Sequence, residues 1–217
     1  MITIKYTKDL TAKYMSHLDM QRLLMRAIKR AGFIPQYSMG HNPHPILKMS
    51  PPIPLGIASI AEYFSIEIEH KNALGLVEKL NLFLPPGVRC INAWKTARMP
   101  RITRYADATT YLVENLSRID MKKITDFLQT PRGAALDDIS KNIIDVIRKV
   151  GESYLIVSLP TGRQNVRIDK FSDAVNVMLG VDLNMRDVKK TNLELLVGNY
   201  IDADLYLSEM QDGLRYE

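Results

Sequence analysis

Cysteine is almost absent from this 217-residue chain: Cys90 stands alone. One thiol cannot close an internal disulfide, and it cannot supply the three or four thiolates of an iron–sulfur cluster or a Cys-rich zinc site. Any such cofactor would belong to a partner. Long apolar runs are also missing, with no stretch of about 18 apolar residues to span a bilayer. The first ten residues, MITIKYTKDL, interleave polar and charged positions where a signal peptide needs an apolar run. The chain is therefore expected to be cytoplasmic, with no membrane partner.

What the sequence does have is enough apolar content, 46%, to bury substantial cores. Its charge is unevenly spread. Residues 1–100 hold 13 Lys and Arg against 6 Asp and Glu, a net of +7, whereas residues 101–217 hold 16 against 18, a net of −2. Attraction for an anionic partner thus belongs to the first half.

Periodicity predicts the elements. Residues 2–7 (ITIKYT) alternate as a half-buried strand. Residues 16–31 read as a helix opened by a capping box of Ser16 and Asp19 and closed by Gly32 and Pro35. Pro35, Pro43, Pro45, Pro51, Pro52 and Pro54 make residues 35–56 extended or looped. Residues 62–69 form a strand, 72–83 a helix with Leu74, Val77, Leu80 and Leu82 on its apolar side, and 88–95 a strand. With a strand-like piece in the proline-rich stretch, the order is β-α-β-β-α-β. Residues 109–114, 121–128, 142–149, 153–159, 170–179 and 189–197 repeat that order. The predicted fold class is α+β: tandem ferredoxin-like sandwiches with antiparallel sheets. Residues 1–97 make the basic domain, 98–107 a linker, 108–198 the second domain, and 199–217 an acidic, partly disordered tail. Gln164 to Arg167 are candidates for lining a cleft between the halves.

Two features of the first half suggest chemistry. On a helical wheel centred on Arg22, Arg26 falls at about 40°, Lys29 at about −20° and Arg30 at about 80°, while Met20, Leu24, Ala27 and Ala31 lie opposite. Four cations on one face repel each other by a few tenths of a kcal/mol per pair, and a polyanion would relieve that cost. These residues, with Lys48, are the candidate anion- or RNA-binding set. The second feature is the stretch YSMGHNPHPILKMSPPIPLG at 37–56. His17 and His44 are candidates for acid–base work, since imidazole titrates near neutrality. A histidine beside Asn and Pro in a structured loop equally serves to fix its shape, with Asn42 capping a turn. The spacing of His41 and His44 does not suit a metal pair, and no metal or other cofactor is assigned.

SHLD at 16–19, Arg22 and Arg26, RAG at 30–32, YS at 37–38, GHNPHP at 40–45, PLG at 54–56 and EY at 62–63 together resemble the radical-SAM-linked family. This is a bacterial domain of unknown function found fused to radical SAM proteins or encoded beside them. The resemblance covers residues 1–70. Beyond it only fragments match, such as NVRID at 165–169 and VKKTNL at 188–193. His41 stands where the family has phenylalanine, which counts against it as an essential ligand. The resemblance implies a non-catalytic accessory to a radical SAM protein but does not identify the substrate; the basic half is consistent with RNA, of the transfer-RNA kind, or another anionic substrate, with His17, Asp19, Tyr37, Ser38, Gly40, Asn42, His44, Glu62 and Tyr63 shaping a pocket. The element order is also similar to the repeat-RNA endonucleases of CRISPR systems, which pair two ferredoxin-like folds. That alternative implies metal-independent RNA cleavage by His17 or His44, with Lys48 stabilising charge on the scissile phosphate.

Overall fold

Strands β1 (Ile2–Lys8), β2 (Leu47–Met49), β3 (Ala58–Ile66), β4 (Val88–Lys95), β5 (Ala106–Val113), β6 (Ile147–Val150), β7 (Leu155–Pro160), β8 (Val188–Val197) and β9 (Asn199–Asp202) share one sheet. The computed structural model describes residues 1–68, 73–129, 147–161 and 166–213. Its helices are α1 (His17–Arg30), α2 (Ala73–Asn81), α3 (Ile102–Tyr105), α4 (Arg118–Gln129), α5 (Ile168–Leu179) and α6 (Ala203–Gln211).

The sheet runs β4-β1-β3-β8-β5-β7-β6, with β2 also on β3 and β9 also on β8. The expected pair of antiparallel sheets is corrected here. The sheet is single and mixed, because Ala58 and Ser59 of β3 pair in parallel with Lys189 and Lys190 of β8. The cause lies in strand length. β2 covers only Phe64 to Ile66 at the far end of β3, so the first residues of β3 would otherwise present an open edge of unpaired backbone donors and acceptors.

Alternation sets the faces. Ile2, Ile4, Phe64 and Ile66 pack beneath α1 and α2 with Met20, Leu24, Ile28, Leu76 and Leu80. In the second half, Tyr111, Val113, Val157 and Val188 pack with Ile124 of α4 and Phe171 and Val175 of α5. Helix α1 stops where the sequence expects: Gly32 takes φ +79, its N–H donates to Lys29 O at 3.0 Å, and Phe33 N–H donates to Ile28 O at 3.1 Å. Helix α2 is shorter than expected, and Leu82, beyond its end, is exposed rather than inward.

The seam between the halves has a third layer. Tyr63 and Ala61 of β3, Trp94 of β4, Ile102 of α3 and Leu193 and Leu195 of β8 pack with Ala203, Tyr206, Leu207 and Met210 of α6. The expectation of an acidic tail is thereby corrected as far as residue 213. The apolar residues of α6 recur at the i, i+3, i+4, i+7 spacing of one helical face, and the Asp202 side chain caps the helix by accepting from Asp204 N–H and Leu205 N–H at 2.7 and 3.3 Å. The stretch read as a linker holds α3 and the start of β5. Residues 142–146 of the expected hairpin and 164–165 of the expected cleft lie outside the described residues.

Cys90 is buried in the first core. Burial pushes its thiol from an ordinary 9.0 up to about 12. At pH 8 only about one thiol in ten thousand is then the reactive thiolate. Iodoacetamide should leave the folded protein unmodified at pH 8 and label it rapidly in urea; equal rates in both would show the thiol to be accessible. Because the folded value is the higher one, Cys90 favours the folded state below pH 9, and that contribution fades as pH rises toward 12.

Candidate functional site

Helix α1 opens with Ser16 as its N-cap, as expected, but Asp19 returns its bond to the Ser16 hydroxyl, where a capping box would engage the backbone N–H. Ser16 Oγ accepts from Asp19 N–H at 3.1 Å and donates to Asp19 Oδ2 at 2.7 Å. The inward residues Met20, Leu24, Ala27 and Ile28 fix the rotation of the helix, which leaves Arg22, Arg26, Lys29 and Arg30 exposed on the opposite side. One carboxylate meets this row among the described residues: Asp19 Oδ1, 3.3 Å from Arg22 Nη1. Hydrogen bonds from Ser16 and then Arg22 hold the Asp19 carboxyl below its usual value. Arg26 Nε donates to Arg22 O at 3.3 Å, and Lys29 Nζ lies 5.7 Å from the centroid of the Tyr37 ring, a cation–π distance.

Tyr37 belongs to an arm that folds back beside the end of α1. Gln36 N–H donates to Glu67 O at 2.9 Å, Ser38 N–H to His44 O at 2.8 Å and Ile46 N–H to Gln36 O at 2.9 Å. Ser38 Oγ accepts from His44 N–H at 3.0 Å and bonds His44 Nδ1 at 3.0 Å, so Ser38 and His44 clamp the arm shut. Gly40, at φ +130, turns its tip, where Met39, His41 and Asn42 are exposed. The loop-fixing role expected for a histidine in this stretch describes the contacts of His44.

His17, Glu62 and Tyr63 lie elsewhere. Glu62, 3% exposed, and Lys190, 1% exposed, form a buried ion pair, Nζ to Oε1, at 2.9 Å. Ser59 Oγ donates to Glu62 Oε1 at 2.9 Å and Ser50 Oγ to Oε2 at 3.5 Å. Lys8 Nζ donates to Met15 O at 2.8 Å; burial lowers the pKa of its ammonium, with Glu62 opposing. His17, the first residue of α1, stands at the rim of this cluster. Desolvation lowers its imidazole below the ordinary value, Glu62 works the other way, and Lys8 reinforces the lowering. Tyr63 faces the other side of the sheet, its hydroxyl donating to Asp204 Oδ1 at 2.7 Å while Lys5 Nζ pairs with Asp204 Oδ2 at 2.5 Å. The residues expected to share one pocket are thus divided among the arm, the first turn of α1, a buried cluster at the seam and the α6 face.

Lys48 is also separated from the α1 row. It pairs with Ser65, while its neighbours Leu47 and Met49 pack on the core under α1, so alternation turns Lys48 to the opposite face of the sheet. There it lines a cleft of about 290 Å³ with Ser50, Tyr63, Ser65 and residues 100–104. The constellation of His17 or His44 with Lys48 expected for RNA cleavage therefore does not assemble. Sequence reasoning missed Lys8, Lys190, Arg101 and Arg104. A signal for Lys8 was present: Ile2, Ile4, Tyr6 and Lys8 continue one alternating face, and the first three are core residues.

Among the described residues, no three His, Cys, Asp or Glu side chains form a group able to hold a metal ion, and no helix is long and apolar enough to cross a membrane. No curated protein matches the chain. A family model described as "Uncharacterized protein conserved in bacteria (DUF2344)" matches residues 1–149, which take in α1, the arm and the Glu62 cluster apart from Lys190. The chain belongs to that bacterial family.

Proposed function

We propose that this protein is a non-catalytic binding module that holds RNA, of the transfer-RNA kind, and presents it to a radical SAM enzyme. The observation that supports the reading is the exposed row Arg22, Arg26, Lys29 and Arg30, which among the described residues meets one carboxylate, Asp19. An exposed pair of that kind is screened by water, so a phosphate backbone displaces Asp19 at little cost. Tyr37, beside Lys29, offers a ring on which an unpaired base can stack. The clamped arm holds that ring in place before binding, which lowers the ordering entropy of association. The shared strand order of the two halves, β4-β1-β3 with β2 and β8-β5-β7-β6, supports reading them as two ferredoxin-like units. The single cysteine supports assigning the cluster chemistry to the partner.

The test is filter binding of a transfer-RNA pool across a salt series. Arg22→Ala with Arg26→Ala should weaken binding about tenfold and reduce the log–log salt slope by roughly 1.5, the loss of two phosphate contacts. Binding and slope unchanged in the double variant would refute the assignment of this face. A radical SAM polypeptide should copurify from the native host, and its consistent absence would remove the accessory role.

A further inference from the structure

The cleft on the far side of the sheet carries its own cationic cluster, independent of α1. Among the described residues Lys48, Arg101 and Arg104 line it and no carboxylate does, and all three side chains are exposed. None of the three forms an ion pair among the described residues. The walls are built rather than incidental. Thr103 Oγ1 donates to Met49 O at 2.8 Å, tying the α3 segment to β2, and buried Ile102 anchors that segment in the seam core. Ser65 Oγ, hydrogen-bonded to Thr3 Oγ1 at 2.8 Å, supplies a hydroxyl at the floor. Three cations held along one short segment and its facing strand repel one another, and no carboxylate among the described lining residues offsets them.

We propose that this cleft binds the phosphate monoester of a small ligand. Two guanidinium groups match the oxygen geometry of a phosphate through paired N–H donors, and a lysine adds a compact third charge. A volume near 290 Å³ lies at the small end of ligand sites, enough for a phosphate and part of the group that carries it. Pro100 and Ile102 give that group an apolar edge. The site does not rest on the RNA reading, because α1 lies on the opposite face.

Isothermal titration with adenosine 5′-monophosphate, inorganic phosphate and adenosine, at fixed ionic strength in chloride, tests the site. The monophosphate and phosphate should bind and adenosine should not. Arg101→Ala with Arg104→Ala should weaken the monophosphate at least tenfold, and Lys48→Ala should weaken it severalfold, with unchanged thermal melting confirming that the variants fold. Arg22→Ala with Arg26→Ala should leave it unaltered. Affinity should fall from pH 8 to pH 5, as the ester loses its second charge near pH 6. A 5′-phosphorylated oligonucleotide that competes where its 5′-hydroxyl twin does not would identify the phosphate as an RNA end; failure of both to compete would identify a free small molecule. No heat above the chloride control, equal binding of adenosine, or equal weakening by the α1 variant would overturn the proposal.

Discussion

Glu62→Gln is expected to destabilise the fold by about 3–5 kcal/mol, because it leaves Lys190 as an unpaired charge at 1% exposure. The neutral amide retains polar partners in Ser59 and Ser50, so the loss reports the missing charge rather than a cavity. Lys190→Met should cost a comparable amount by stranding Glu62. Combining Glu62→Leu with Lys190→Met removes both charges, and the double variant should lie closer to the parent than either single change, since an apolar pair no longer carries the desolvation penalty. Urea unfolding at pH 7 measures all three. A loss below about 1 kcal/mol for Glu62→Gln would mean that water reaches the pair and that the seam is not the dry junction described.

Leu207→Ala is expected to cost about 2–5 kcal/mol, the usual range for truncating a fully buried leucine. Leu207 sits in the seam core with Trp94, Tyr63, Leu193 and Leu195, so the cavity would open between elements of both halves. Leu205→Ala, two residues earlier on the exposed side of α6, should change stability by less than about 0.5 kcal/mol. The contrast separates a packed helix from an acidic tail. Equal and negligible effects at both positions, read by thermal or urea unfolding, would restore the tail.

The basic row of α1 and the C-terminal helix differ in how legible they were. The α1 row was readable because its causes are local: Ser16 and Asp19 cap the helix, Gly32 ends it, and the 3.6-residue period alone places Arg22, Arg26, Lys29 and Arg30 opposite Met20 and Leu24. The tail was misread because its five acids, Asp202, Asp204, Glu209, Asp212 and Glu217, outweigh the lone Arg215 in charge, while Ala203, Tyr206, Leu207 and Met210 form an apolar face that acquires meaning only against β3, β4 and β8. The arm lay between these cases. Its prolines announced an irregular backbone, but the Ser38–His44 clamp depends on two residues six apart closing on each other.

By itself, then, the sequence determined the element order of each half, the outward charge of α1 and the absence of a disulfide between two of these residues, since caps, alternation and composition act within a few residues. Tertiary structure alone decided that the halves share one mixed sheet, that Glu62 meets Lys190 from 128 residues away, and that Lys48 leaves the α1 row to join Arg101 and Arg104. The physical reason is that strand pairing and burial compensate charges and backbone edges wherever the chain brings them together, and separation along the sequence carries no record of that choice.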